Sequence, residues 1–396
     1  MPRSLWLLII GMAINVTGAS FLWPLNTIYI HDHLGKSLTM AGIVLMLNSG
    51  ASVVGNMLGG ILFDRIGGFR SIMAGIITTL ASLIVLVFFH DWPAYIILLT
   101  LIGFGQGIVF PSMYALAGAV WPEGERRAFN AIYIAQNSGV AIGSALGGIV
   151  ANISFEFIFI ANTLLYIVFF MISYFGYRNL VGEKGVHSTI LKQRTYVKNR
   201  QKYMALVTLT IGYLLAWVTY SQWPSTFAAY SQEMGIGLHQ YSLLWTVNGA
   251  LIVLGQPLLS AFIKRLAKSL KVQMFVGFMM FILSYIVMSN ATQFTGFMAA
   301  MIIITIGEML VWPAVPTIAN KLAPKGREGF YQGFVNSMAT GGRMIGPLLG
   351  GVIVDVFGIR WLFVAMIGLL CIGTITAIIY DRSIVQKNNK QMSLTH

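Results

Sequence analysis

The sequence is poor in charged residues and in cysteine. Only 9% of its 396 residues are Asp, Glu, Lys or Arg, whereas soluble domains carry about 25%, and this deficit excludes a water-soluble globule. The single cysteine, Cys371, lies in an apolar run, which excludes a disulfide framework and a cysteine-based metal cluster. Walker-type phosphate loops, nucleophile elbows and His-Glu metal motifs are also missing, so the sequence predicts neither an enzyme nor an ATP-driven pump.

Long apolar runs make up most of the chain, with 57% apolar residues overall. Because a membrane-spanning helix needs about 20 mostly apolar residues, these runs predict an all-α integral membrane protein with twelve transmembrane helices in two six-helix halves. The predicted spans are 4–30, 38–62, 71–89, 93–120, 128–151, 156–177, 203–230, 241–263, 272–289, 294–319, 329–354 and 360–380. The first span lacks a signal cleavage site, so we expect it to be retained.

Basic residues follow the predicted topology. If the N-terminus is cytoplasmic, 22 of the 25 basic residues lie in cytoplasmic segments. By the positive-inside rule, both termini of a multi-pass protein of the cytoplasmic membrane are then expected to face the cytoplasm. The net charge of +13 is explained by this topology and by contact with anionic lipid, rather than by nucleic acid.

An internal repeat divides the chain. We predict a six-helix bundle at 1–180, a basic cytoplasmic linker at 181–202, a second bundle at 203–383 and a cytoplasmic tail at 384–396. At an offset of 202 residues, Gly105, Pro111, Pro122 and Gly124 match Gly307, Pro313, Pro324 and Gly326. Two halves related by a pseudo-twofold axis along the membrane normal are the architecture that places a substrate path between them.

Two motifs carry a family resemblance. The segment GILFDRIGGFR at 60–70 resembles the loop motif of the major facilitator superfamily, and it includes Gly60, Asp64, Arg65, Gly67 and Arg70. The glycine-rich runs at 139–148 and 342–351 look like the motif of the drug and proton antiporters of that superfamily. The shared positions are Gly139, Gly143, Gly147, Gly148, Gly342, Gly346, Pro347, Gly350 and Gly351.

The resemblance implies a transporter that works by alternating access, similar to bacterial drug:proton antiporters. It implies a conformational switch at the loop motif, where Asp64 caps or pairs with a neighbouring helix and stabilises the outward-facing state. The glycine ladders, which repeat every four residues, predict faces of close helix contact. Two positions depart from the family pattern: Ser144 replaces the proline of the first glycine run, and Gly103 replaces the usual arginine of the fourth helix.

Glu308 is the carboxylate that we place deep in a span, roughly 20 Å below the outer surface. A carboxylate at this depth must be protonated, paired or wetted by a cavity. We predict that Glu308 exchanges a proton for a cationic substrate, the alternative being a structural carboxylate. Arg343 also lies within a span and needs an acceptor, for which we expect Glu308, with carbonyl or lipid phosphate oxygens as alternatives.

Aromatic and polar side chains within spans are candidates for the substrate cavity. Trp312 follows Glu308 by one helical turn, and an indole beside a carboxylate suits a lipophilic cation. The other candidates are Trp217, Tyr220, Gln106, Asn15, Asn26 and Asn248. Trp223, near the outer end of its span, is expected in the interfacial aromatic belt. His31, His33, His90 and His239 are expected to be solvated loop residues, with no metal site.

The residues predict an aromatic cavity with one deep acid, and the resemblance to the drug antiporters implies a proton-coupled secondary transporter that exports lipophilic, often cationic drugs or toxic compounds. We expect no cofactor other than the proton gradient. The expected partners are a small-molecule substrate, protons and membrane lipids, and the expected state is a monomer. One alternative is a dedicated transporter of a sugar, metabolite or lipid-linked glycan. Another is a membrane sensor or scaffold, although the short segment after Tyr380 leaves little room for a signalling domain.

Overall fold

A computed structural model describes residues 1–22, 26, 29–36, 38–124, 126–151, 154–178, 180, 200–256 and 269–382. These residues form thirteen α-helices and no β-strand. The first six are α1 (Arg3–Leu22), α2 (Leu38–Ile66), α3 (Gly68–Phe88), α4 (Ala94–Val120), α5 (Arg126–Ala151) and α6 (Phe155–Gly176). The others are α7 (Arg200–Tyr220), α8 (Thr226–Glu233), α9 (Leu238–Ala250), α10 (Leu270–Ser289), α11 (Phe294–Leu322), α12 (Glu328–Phe357) and α13 (Ile359–Ile379).

The helices agree with the predicted all-α membrane fold. Ten of the helices in the described residues are long and apolar enough to cross a membrane. Each of the twelve predicted spans overlaps at least one of the helices, and most boundaries agree within three or four residues. The tail at 384–396, most of the linker at 181–202 and the end of the eighth predicted span, 257–263, lie outside the described residues.

The chain divides into two compact units. Unit 1 comprises Met1–Thr195 together with Lys325–Ser337, and unit 2 comprises Tyr196–Pro324 together with Met338–His396. In unit 1, α1 packs against α5 and α6, and α4 packs against α2 and α3. In unit 2, α10 packs against α11 and α13, and α13 also packs against α7. The predicted domain boundaries at residues 180 and 203 remain a prediction. The two units do not follow the chain order throughout, because the first turns of α12 are grouped with unit 1.

The seventh predicted span is not one continuous helix. Helix α7 ends at Tyr220, and α8 begins only at Thr226. Pro224 lies in the intervening turn, where it has no N–H for a helical hydrogen bond and restricts the residue before it to non-helical backbone. Backbone N–H groups of the turn satisfy carbonyls at the end of α7, as when Gln222 donates to the Thr219 carbonyl at 3.0 Å. The Tyr285 hydroxyl donates to the same carbonyl at 2.5 Å.

Two side chains near this turn correct the expectation of an interfacial belt. Trp223 is fully buried, packs edge-on against Phe227 and accepts a hydrogen bond at its carbonyl from the Tyr241 hydroxyl. Gln222 is also fully buried, and its amide donates to the carbonyls of Val218 at 3.0 Å and Gly346 at 2.7 Å. Trp223 therefore belongs to the core of unit 2 and not to a lipid-facing belt.

The first predicted span is also shorter than expected. Helix α1 ends at Leu22, and a π-helical turn forms at Tyr29–His33. At this turn His90 is not simply solvated, because its Nδ1 lies 2.8 Å from the Tyr29 hydroxyl. The His33 ring stacks on Tyr29, with ring centroids 5.4 Å apart. These two histidines therefore belong to an aromatic cluster of unit 1.

Candidate functional site

The Glu308 carboxylate lies inside unit 2 and is held by neutral donors. The side chain is only 4% exposed. Its Oε2 accepts a hydrogen bond from the Tyr220 hydroxyl at 3.0 Å and another from Nδ2 of Asn248 at 3.0 Å. Asn248 is positioned in turn by Thr305, whose Oγ1 accepts from the same amide at 2.9 Å. Both of these donors are neutral groups, a phenol hydroxyl and a carboxamide.

Helical spacing explains how this group forms. Thr305, Glu308 and Trp312 follow one another at intervals of three and four residues along α11, which places them on one face. Tyr213, Trp217 and Tyr220 occupy α7 with the same spacing. These two faces meet, with Asn248 contributed by α9.

Two indole rings form the centre of the cluster. The rings of Trp217 and Trp312 are stacked, with centroids 4.4 Å apart and planes 7° apart. Tyr213 and Tyr220 lie edge-on to both rings, at centroid distances of 5.4 to 6.2 Å. The ring of Phe281, on α10, packs against Trp312 with ring centroids 5.4 Å apart. Edge-on pairs at these distances are a favoured arrangement of aromatic rings.

Arg343 of α12 joins this cluster through Trp217. The centre of its guanidinium group lies 4.8 Å from the centroid of the Trp217 ring, which is a cation–π contact. Because Trp312 covers one face of Trp217, the guanidinium occupies the other. One guanidinium nitrogen also donates to Thr340 Oγ1 at 3.3 Å. An ion pair between Arg343 and Glu308 remains a prediction, although both groups flank the same pair of indoles.

The structure therefore brings six of the predicted residues together in unit 2: Glu308, Trp312, Trp217, Tyr220, Asn248 and Arg343. The predicted Asn15, Asn26 and Gln106 lie in unit 1. Asn15 accepts a hydrogen bond from Tyr166 at 2.6 Å, and Asn26 accepts one from Tyr95 at 2.7 Å. Gln106 neighbours the Tyr166 hydroxyl. The Asn15 contact joins α1 to α6, and the Asn26 contact joins a residue beyond the end of α1 to α4.

Three members of the site are missing from the sequence-based prediction. Tyr213 and Thr305 carry a usable signal, because Tyr213 precedes Trp217 by four residues and Thr305 precedes Glu308 by three. Phe281 carries no such signal, since nothing in the pattern of α10 distinguishes it from the other apolar residues of that helix. Its position depends on how α10 packs against α11.

Each glycine ladder faces the first helix of its own half. A Cβ atom on Gly139 would lie 2.7 Å from the Ala13 carbonyl oxygen of α1, and Gly143 and Gly147 face the same helix. A Cβ atom on Gly346 would lie 2.7 Å from the Val218 carbonyl oxygen of α7, and Gly342 and Gly350 also face α7 and the turn after it. A Cβ atom on Gly351 would meet no heavy atom within 4 Å. Gly148 and Pro347 lie within α5 and α12.

The Asp64 carboxylate caps the start of α12, within unit 1. Its Oδ1 accepts from the Gly329 backbone N–H at 2.7 Å and its Oδ2 from that of Phe330 at 2.8 Å. Backbone N–H groups in the first turn of a helix lack internal partners, and the helix dipole there favours a negative charge. Gly60 contacts Gly329 directly, so a side chain at either position would meet the other backbone.

The remaining switch residues surround this cap. Gly67 has a φ of 90°, a left-handed conformation that favours glycine, and it forms the turn between α2 and α3. Arg65 and Arg70 are exposed on either side of the turn. Asp64 itself is 8% exposed, so its two hydrogen bonds are made away from water.

We expect Asp64→Asn to destabilise the protein. Asparagine keeps one acceptor oxygen but presents an amide N–H₂ group to the second backbone donor, and it removes the charge at the helix start. The expected loss is about 1 to 3 kcal/mol, measured as a lower apparent melting temperature of the detergent-solubilised protein. Asp355→Asn is the matched control, because Asp355 is an exposed acid on α12, the helix that Asp64 caps. Equal melting temperatures for the two variants would contradict a stabilising cap.

Comparisons with known proteins agree with this architecture. The family model of the Major Facilitator Superfamily matches residues 8–343 and 209–394. The chain is 63% identical over 397 residues to the uncharacterized MFS-type transporter YttB of Bacillus subtilis strain 168, with all of both chains covered. It is 21% identical to the quinolone resistance protein NorA of Staphylococcus aureus strain COL, covering 90% of this chain and 91% of NorA.

A solved structure shows the same fold. The outward-facing crystal structure of a bacterial homologue of the iron transporter ferroportin matches with a TM-score of 0.78 at 12% sequence identity, covering 96% of this chain and all of that chain. The protein belongs to the Major Facilitator Superfamily. It is a multi-pass membrane transporter and not an enzyme, which confirms the class predicted from its motifs.

Proposed function

We propose that this protein is a proton-coupled efflux transporter of lipophilic, often cationic drugs or toxic compounds. The observation that carries the proposal is the buried Glu308 carboxylate, bound by neutral donors beside the stacked rings of Trp217 and Trp312. The 21% identity to NorA supports the substrate class. The sequence resemblance to drug:proton antiporters supports the direction of transport.

Competition between a proton and a cationic substrate for the Glu308 carboxylate would couple proton movement to substrate transport. Burial favours the neutral, protonated form of Glu308, whereas a cation placed beside it favours the ionised form. A cationic substrate that reaches the carboxylate therefore displaces its proton, and a proton arriving from outside displaces the substrate. The Tyr220 hydroxyl and the Asn248 amide stabilise the ionised state without adding a charge that would compete with the substrate.

The remaining motifs fit alternating access in this proposal. The Asp64 cap at α12 would stabilise one conformational state, and the glycine ladders would form the faces along which helices slide. The excess of basic residues in the predicted inner segments supports a location in the cytoplasmic membrane with both termini in the cytoplasm. Protons and membrane lipids are the further partners that the proposal implies, with the monomer as the working unit.

Transport measurements in proteoliposomes test this function. Ethidium is added to vesicles that contain the purified protein and have an acidic lumen, and its uptake is followed by fluorescence. We expect uptake that requires the pH gradient and stops on addition of a protonophore. We also expect the protein to release a proton when it binds ethidium. Folded protein that moves ethidium neither with nor without the gradient would contradict the proposal. A screen of sugars, metabolites and lipid-linked glycans would then test the dedicated-transporter alternative.

A further inference from the structure

We propose that a groove between the predicted cytoplasmic ends of α7 and α13 binds an anionic phospholipid. Arg200 and Arg382 would hold the lipid phosphate, and the acyl chains would lie against the apolar wall below them. The groove belongs to unit 2 and contains none of the residues grouped around Glu308. The inference is therefore independent of the proposed efflux function.

The first observation is the size and position of the groove. Its volume of about 430 Å³ lies within the range of roughly 300 to 1,000 Å³ that is usual for small-ligand sites. The groove forms where the start of α7 lies beside the end of α13, two helices that pack against each other. The excess of basic residues predicts that these two ends face the cytoplasm. The groove is therefore expected at the level of the lipid headgroups of the inner leaflet.

The second observation is the positive charge at the mouth of the groove. Arg200 and Arg382 both line the groove and are exposed. The neighbouring acid, Asp381, is already paired with Lys271, whose Nζ lies 2.6 Å from Oδ1. Within the described part of the chain, neither arginine forms an ion pair. Because a guanidinium remains charged and binds phosphate through two parallel hydrogen bonds, the mouth of the groove suits a phosphate group.

The third observation is a largely apolar wall that continues from the arginines into the membrane. Met204 and Thr208 follow Arg200 at intervals of four residues, so they line the groove from one side of α7. At 1.5 Å per residue, Thr208 lies about 12 Å deeper than Arg200. Met204 is 50% exposed, and Ile379 of α13 completes the wall.

The combination of mouth and wall favours a lipid over a soluble anion. A free phosphate would contact only the arginines, whereas a phospholipid matches both the charge at the mouth and the apolar surface below it. Basic pockets between membrane helices on the cytoplasmic side are typical sites for the headgroups of acidic lipids. The groove has both features within one unit of the protein.

Native mass spectrometry of the full chain, released from mixed micelles, tests the inference. The probes are palmitoyl-oleoyl phosphatidylglycerol, phosphatidylcholine with the same acyl chains, and glycerophosphoglycerol, which is the first headgroup without its chains. We expect phosphatidylglycerol to bind about tenfold more tightly than phosphatidylcholine, a ratio that corresponds to about 1.4 kcal/mol. Glycerophosphoglycerol should not displace the bound lipid, because it cannot cover the apolar wall.

Paired variants locate the binding site. Arg200→Gln combined with Arg382→Gln is expected to reduce the preference for phosphatidylglycerol to near one, while the corresponding pair of lysine substitutions retains part of it. Arg3→Gln combined with Arg178→Gln is the matched control, because these exposed arginines lie at the start of α1 and just after the end of α6. Helices α1 and α6 pack together in unit 1, and this control pair removes the same charge.

Thermal stability gives a second measure of binding. A ligand that binds only the folded protein raises its melting temperature. Phosphatidylglycerol should therefore raise the melting temperature of the native chain and of the control pair more than phosphatidylcholine does. For the pair that lacks Arg200 and Arg382, the two lipids should have the same effect.

Equal binding of the two phospholipids by the native chain would overturn the inference. An equal loss of phosphatidylglycerol binding in the control pair would also overturn it, because the lipid would then respond to surface charge in general. Displacement by glycerophosphoglycerol would show that the groove takes a soluble anion instead of a lipid. Ethidium transport is measured separately, so the lipid site and the efflux function can fail independently.

Discussion

Glu308→Gln is expected to abolish gradient-driven transport, with a loss of at least about 100-fold in initial rate. Glutamine has nearly the same shape as glutamate, and its carbonyl oxygen accepts the hydrogen bonds from Tyr220 and Asn248 as Oε2 does in the native protein. It has no proton to release and no negative charge to offer a cation. The fold is therefore kept while the exchange of proton for substrate is lost.

Two readouts distinguish this loss from damage to the protein. Ethidium uptake into proteoliposomes measures transport, and proton release on addition of substrate to the solubilised protein measures coupling. Both should disappear in Glu308→Gln, while the melting temperature changes little. Glu233→Gln, the same substitution on an exposed residue at the end of α8, should leave both unchanged. Normal substrate-evoked proton release by Glu308→Gln would show that another group carries the proton.

We expect Tyr220 to have a smaller role in the proposed exchange of proton for substrate. Removing its hydroxyl in Tyr220→Phe leaves Asn248 as a donor to Glu308, so we expect this variant to retain gradient dependence at a reduced rate. Since the ring remains, the edge-on contacts with Trp217 and Trp312 are preserved. Comparing Tyr220→Phe with Glu308→Gln therefore separates the loss of a hydrogen-bond donor from the loss of the acid.

Part of this site could be predicted from the sequence because it depends on helical spacing. Glu308 and Trp312 are four residues apart, so they share a face of α11 wherever that helix lies. The repeat of glycine and proline positions at an offset of 202 residues likewise shows the duplication in the sequence itself. The resemblance of the loop motif implied that Asp64 caps or pairs with a helix, and the structure shows which one.

Other features depend on contacts between distant segments. Asn248 is 60 residues from Glu308, and only the packing of α9 against α11 brings its amide to the carboxylate. The apolar run continues through the break after Tyr220 and so predicts one continuous span, although Pro224 is a local signal for the break. Tryptophan is common in interfacial belts, but Trp223 is buried in contact with Phe227 and Tyr241. The pattern of apolar residues in its span reveals neither contact.

The packing of α12 on α7 explains why Arg343 reaches the indole stack. Gly342 precedes Arg343, and a Cβ atom at Gly342 would lie 2.6 Å from Cβ of Trp217. Only a residue without a side chain allows the two backbones to come this close. The guanidinium of the next residue then lies over the Trp217 ring. The glycine ladder of this half is thus a structural requirement of the site, although its members do not face a substrate.

Gly346→Val is accordingly expected to be the most destabilising of these substitutions, by about 3 kcal/mol or more. The first added carbon would lie 2.7 Å from the Val218 carbonyl oxygen and would overlap Oγ of Ser221. One turn earlier on α12, Gly342 lies equally close to α7, since a Cβ atom there would lie 2.7 Å from the Leu214 carbonyl oxygen. The substitution would also disturb the 2.7 Å hydrogen bond from Gln222 to the Gly346 carbonyl.

Gly351→Val provides a matched control for this prediction. It makes the same change five residues further along α12, where an added Cβ meets no heavy atom within 4 Å. We expect Gly346→Val to give little monodisperse protein, or a melting temperature well below that of the native chain, whereas Gly351→Val should behave like the native chain. Equal stability of the two variants would mean that α12 does not depend on close contact with α7. The position of Arg343 over Trp217 would then need another structural cause.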